Sequence, residues 1–119
     1  MAIKNVEVVN TASKYIVKST GIKDEKDQEL VDANKLTGGT NQSTVSLIEC
    51  YFLIEGTGKL LIEVDTPATD GGFKKLTLTA KGKYGLRPEQ LKFGNDKIFK
   101  LTTDSNVKSY LLVTEFRRN

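Results

Sequence analysis

The chain has 119 residues, 38% hydrophobic and 28% charged, an ordinary globular composition at a length that lets one domain bury a core without disulfide or metal staples. Cys50 is the single cysteine and histidine is absent, which excludes a disulfide framework, most zinc, copper, iron-sulfur and haem ligation, and the Ser-His-Asp and Cys-His arrangements that need an imidazole as proton acceptor. The net charge of +3 conceals an uneven distribution: residues 1–70 carry seven lysines against eleven acids, whereas residues 71–119 carry eight lysines and three arginines against four acids, so the second half can present a basic surface.

Residues 3–9 alternate in part and end in the polar Asn10-Thr11-Ala12. Residues 13–19 place Tyr15 and Val17 on one face and Lys14, Ile16 and Lys18 on the other, the period of a half-buried strand, and the two segments are expected to pair as a hairpin. Thr20-Gly21 breaks the run, and the charge cluster from Ile22 to Glu29 reads as a solvated loop. Leu30-Val31-Asp32-Ala33 reads as a short strand and residues 36–43 as a turn-rich loop.

The strongest strand signal comes next, over residues 44–55. Val45, Leu47, Ile48, Tyr51, Phe52, Leu53 and Ile54 are apolar on both faces near its end, which predicts a central strand covered on each side. Cys50 lies within it with nothing electropositive beside it, so it is expected to pack as a small hydrophobe. Gly56-Thr57-Gly58 then supplies a tight turn into Leu60, Ile62 and Val64, read as a hairpin. The turn does not qualify as a phosphate-binding loop, because Leu53 stands where the earlier glycine is needed and Leu60 where a magnesium-holding hydroxyl is needed.

Residues 66–72 read as a surface turn. From Phe73, Leu76, Leu78 and Ala80 alternate with Lys75, Thr77, Thr79 and Lys81, which predicts one strand with a core side and a wet side. Residues 82–91 hold two glycines and a proline and are expected to cross between sheets or edges, with Pro88-Glu89-Gln90-Leu91 able to make one helical turn. Residues 97–101 and 108–117 read as a closing pair of strands. The last of them, with Tyr110, Leu111, Leu112, Val113 and Phe116, is apolar on both faces and reads as central. About eight strands joined by polar turns predict an all-β fold, an antiparallel β-sandwich or jelly-roll-like barrel, in a single domain spanning residues 1–119.

No run approaches the roughly 18 apolar residues of a membrane helix, and the first residues lack the pattern of a secretory signal, so folding in the cytoplasm is expected. Glu49 is the only acid placed among apolar neighbours, and it is expected to face outward or to pair with a cation rather than to act as a catalytic carboxylate. No enzyme activity, cofactor or metal is expected. The basic second half, with Phe73, Tyr84, Phe93 and Phe99, also admits a barrel for single-stranded nucleic acid, a reading disfavoured because those aromatics alternate with aliphatics as core residues do.

The phrases Asn10-Thr11-Ala12-Ser13-Lys14-Tyr15-Ile16-Val17-Lys18, Leu30-Val31-Asp32-Ala33, the strand from Val45 to Ile54, Gly82-Lys83-Tyr84-Gly85 and the closing Leu112-Val113-Thr114-Glu115-Phe116-Arg117 give the chain a likeness over most of its length. In strand order and phrase it resembles small virion structural proteins of marine tailed bacteriophages, of cyanophage and pelagiphage types. That resemblance implies a non-enzymatic decoration or cement protein of the capsid, located in the virion, with the major capsid protein or another virion protein as partner. It brings no site residues with it. Self-association as a trimer or dimer is expected from strand edges and repeated lattice positions. A glycan-binding or host-receptor-binding module of the virion is the alternative. For contacts with an acidic capsid, Lys74, Lys75, Lys81 and Lys83 are the candidates, read as one strand and turn with a basic solvated side.

Overall fold

Segments whose side chains alternate between apolar and polar can satisfy their backbone in a sheet while burying one face, and nine strands form among the described residues. The computed structural model describes residues 3–36, 38–39, 43–64, 75–85 and 97–118. Its strands are β1 (Lys4–Asn10), β2 (Lys14–Ile22), β3 (Gln28–Asp32), β4 (Val45–Gly56), β5 (Leu60–Val64), β6 (Lys75–Leu78), β7 (Lys81–Tyr84), β8 (Ile98–Thr103) and β9 (Val107–Arg118). A 3₁₀ turn, Ala33–Lys35, follows β3 and is capped by the Asp32 carboxylate, which accepts from the Asn34 amide at 3.0 Å.

The strands form two antiparallel sheets, a five-stranded one in the order β1-β2-β9-β4-β7 and a four-stranded one in the order β3-β8-β5-β6. The fold is therefore an antiparallel β-sandwich. Its core is made where the inner faces meet: Tyr15, Val17, Cys50, Leu112 and Phe116 from the larger sheet pack with Leu60, Ile62, Phe99 and Leu101 from the smaller. Phe99 and Phe116 bridge the two layers with ring centroids 5.1 Å apart and planes tilted by 57°, a geometry that aromatic quadrupoles favour.

The β1-β2 hairpin forms as its periodicity predicts, with Val6 opposite Lys18 and Lys4 opposite Thr20. Three other pairings differ from the sequence reading. Gly56-Thr57-Gly58 does not close a hairpin, because β4 pairs with β9 and β7 while β5 pairs with β8 and β6. β8 and β9 likewise lie in different sheets. The segment read as one strand from Phe73 is two, since Ala80 adopts a positive φ of 58° and the chain passes from β6 in the small sheet to β7 in the large one.

A common physical reason covers these differences. Two consecutive strands with one apolar face each can pair in plane, or fold over so that their apolar faces oppose each other across the core, and local alternation is the same in both. Here the second arrangement prevails at the corners. Gly56, at φ +99°, turns so closely against the β8–β9 connection that a Cβ would meet the Asn106 carbonyl, and a Cβ on Gly58 would meet the Asp104 carboxylate. Asp104 ties the two corners together by accepting from the Lys59 amide at 3.0 Å and the Asn106 amide at 2.9 Å.

The charge cluster between β2 and β3 also differs from its reading as a solvated loop. Lys23, Asp24, Lys26 and Asp27 are exposed, but Glu25 is 2% exposed and turns inward. Its carboxylate accepts from the Tyr110 hydroxyl at 2.6 Å and from the Ile22 amide at 3.4 Å. The expected crossing at residues 82–91 falls in part, and the turns at residues 66–72 and Pro88-Glu89-Gln90-Leu91 fall wholly, outside the described residues.

Candidate interaction surface

The register of the larger sheet determines which side chains share its outer face. On β9, Tyr110, Leu112, Thr114 and Phe116 point inward and are buried, so Leu111, Val113 and Glu115 point out. Across the β4-β9 ladder Leu111 stands opposite Leu53, Val113 opposite Tyr51, and Glu115 opposite Glu49. Tyr51 and Leu53 are 46% and 45% exposed. The expectation of cover on both faces of β4 thus fails at its outer side, although β4 is an interior strand of its sheet. A continuous apolar run reports high strand propensity and does not itself distinguish a covered face from an open one.

Lysines border this apolar strip on both sides. On one side β7 aligns Lys83 with Tyr51 and Lys81 with Leu53. On the other, β2 sets Lys18 opposite Val113 and Thr20 opposite Leu111, and β1 adds Val6 beside Lys18 and Lys4 beside Thr20. A shallow groove runs over the strip, lined by Tyr51, Phe52, Leu53, Lys81, Gly82, Leu111 and Val113. Gly82 leaves room beneath it, since a Cβ there would press on the Phe52 ring at 3.2 Å.

One end of the strip is acidic. Glu49 and Glu115 face each other in register, a like-charge pairing that is unfavourable by itself. Each has a cation at hand: Lys83 Nζ lies 3.6 Å from Glu49 and Lys14 Nζ 3.9 Å from Glu115. Glu49 is therefore outward and ion-paired, as its setting in the sequence suggests. Lys83 Nζ also sits 4.4 Å from the centroid of the Tyr51 ring, a cation-π distance. Hydrogen bonding to the Tyr51 side chain, with the Glu49 charge behind it, holds the Lys83 ammonium above its ordinary pKa. That pair fixes the Tyr51 ring on the surface.

The four candidate lysines separate. Lys81 and Lys83 lie on this face. Lys75 is on β6 in the smaller sheet, its backbone opposite Glu63, so the reading of these lysines as one strand and turn with a basic side is corrected: the chain turns at Ala80, and Lys81 and Lys83 lie on a second strand, β7, of the larger sheet. Lys74 lies outside the described residues. Tyr51, Leu53, Leu111 and Val113 were not foreseen as a surface. The signal that identifies them is the polar outer face of the flanking strands, usable only once the strand pairing is known.

Cys50 contributes no chemistry to the face. It points inward opposite Thr114 and is fully buried, and burial pushes its thiol pKa up to about 12. Among the described residues no three His, Cys, Asp or Glu side chains come together as metal ligands would.

No protein-family model matches the chain, and no curated protein matches it. Among solved structures it is similar to the cupin domain of Schizosaccharomyces pombe Cnp3, at 8% identity and a TM-score of 0.48, covering 98% of this chain and 61% of that one. It thus spans about three fifths of that domain's length. It is also similar to a cupin domain from Bordetella pertussis Tohama I, at 11% identity and a TM-score of 0.44, covering 99% of this chain and 94% of that one. Neither likeness bears on function.

Proposed function

We propose that this chain is a non-enzymatic virion structural protein, a decoration or cement protein that binds the capsid lattice of a tailed bacteriophage through the outer face of its larger sheet. The observation that carries the reading is the uncovered apolar strip of Tyr51, Leu53, Leu111 and Val113 between bordering lysines. A large aromatic and a leucine nearly half exposed, two positions apart on one interior strand, are the composition of a contact surface rather than of a free one. Decoration acts by adding contact area across joints between capsid subunits, and it requires no bond to be made or broken. The resemblance in strand order and phrase to marine phage virion proteins supports the same reading.

Purified protein is mixed with expanded capsids of a marine tailed bacteriophage, then sedimented and heated. The wild-type chain is expected to co-sediment and to raise the temperature at which the capsids open. Leu53→Asp, which alters only an exposed position, is expected to stay folded and to remain in the supernatant. Wild-type protein that fails to sediment with the capsids overturns the reading.

A further inference from the structure

Resting on the reading of this face as the docking surface, we infer that its occupant is an acidic amphipathic helix of another protein, seated along β4 and β9 between the two lysine borders. The spacing of the borders carries this. From β7 to β2 the sheet takes three inter-strand steps of about 4.8 Å, which sets the backbone of Lys83 about 14 Å from that of Lys18 in the same row, with Lys81 in the next row across from Thr20. An α-helix with its side chains is about 10–12 Å across, so one helix fills that width and a second does not fit beside it. The floor it meets is the strip of Leu53 and Leu111, Tyr51 and Val113, two residues wide and two rows long. Those two rows lie about 6.8 Å apart along the strands, so the floor takes apolar side chains at helical positions i and i+3 or i+4, which are about 5–6 Å apart along the helix axis.

The charges select the occupant. Lysine on both sides favours carboxylates on both flanks of the helix, each reaching outward over the edge of the apolar floor. A second copy of the chain, laid face to face, would oppose lysine borders with lysine borders, so charge complementarity disfavours it. The Glu49–Glu115 end is neutralised by Lys83 and Lys14, so the bordering cations left for the partner are Lys81 on one side and Lys18 on the other, while the exposed Glu55 closes the far end of the strip.

The test uses the full chain, isotope-labelled, and three synthetic 18-residue peptides of helical period that share three leucines on one face and carry Glu, Gln or Lys on both flanks. The Glu peptide is expected to shift the amide signals of Tyr51, Leu53, Leu111 and Val113, to gain helical circular dichroism on binding, and to bind more weakly as salt rises. Lys81→Glu and Lys18→Glu, one from each border, are each expected to weaken it about five-fold. Equal binding of the Lys peptide, or loss confined to one border, overturns the inference. So does a dimer in light scattering that Leu53→Asp dissolves. The Lys18→Glu, Lys81→Glu double variant separates the two claims: if it still sediments with capsids as the wild type does, the charge argument fails and capsid docking stands. Failure of the wild type to sediment, with the Glu peptide still bound as described, leaves the helix site standing and removes the capsid.

Discussion

Glu25 and Tyr110 meet in the interior at 2.6 Å, 85 positions apart in the chain, and so pin the charged connection between β2 and β3 to the first part of β9. The same connection is bound by its backbone: Glu25 N–H donates to Thr103 Oγ1 at 3.0 Å, and the Thr103 hydroxyl donates to the Ile22 carbonyl at 2.7 Å. Tyr110→Phe removes the hydroxyl donor from a buried carboxylate, and an urea melt is expected to show a loss of about 1–3 kcal/mol. Burial, and then the bond to Glu25, also raise the pKa of the Tyr110 hydroxyl. Cys50 behaves alike, with burial carrying its thiol to about 12. Below about pH 9 the thiol is protonated in both folded and unfolded chains and stability is flat. Above it the unfolded chain releases a proton that the folded chain retains, so stability falls through the window from about 9 to 12, by up to about 1.4 kcal/mol per pH unit for that group. Tyr110 acts in the same direction above about 10. Denaturation series at pH 8, 9 and 10 check the sign, and Cys50→Ala is expected to flatten the first part of the decline.

At the scale of elements, alternation places most strands but not all their limits or partners: β2 runs through Thr20-Gly21 to Ile22, and the segment from Phe73 is divided at Ala80. β2 shows the expected inward Tyr15 and Val17, and β5 the expected inward Leu60, Ile62 and Val64. Alternation identifies a strand and its apolar side. It is silent on whether Gly56-Thr57-Gly58 joins neighbours in one sheet or folds β5 across the core, because that choice depends on contacts with residues some fifty positions away. The deciding contacts are visible only in three dimensions: Asp104 bonding both corners, and the close approach of Gly56 to Asn106. Asp104→Ala removes two acceptor bonds to backbone amides and is expected to cost about 1–2 kcal/mol, with Asp104→Asn costing less because one amide can still be served. Paired urea melts of the two variants give the comparison. Equal stability of Asp104→Ala and wild type would show that the corners hold without that carboxylate.

For the whole molecule, the sandwich class follows from nine short strands around one two-layered core, and that class was legible in the sequence. The interaction face was legible only in part. Lys81 and Lys83 were identifiable from the wet side of their segment, but Tyr51, Leu53, Leu111 and Val113 read as interior, since apolar residues on both sides of a strand look the same whether a second layer covers them or solvent does. Among the described residues one layer lies beneath them and none lies over the other side. Side-chain methyl spectra in the presence of a soluble nitroxide test that asymmetry, on which docking at this face depends, most directly. Methyl signals of Leu53, Leu111 and Val113 are expected to be strongly attenuated while those of Leu60, Ile62 and Leu101 persist. Leu53 and Val113 signals as well protected as those of Ile62 would mean that the face is covered within the chain itself, and the account would be wrong.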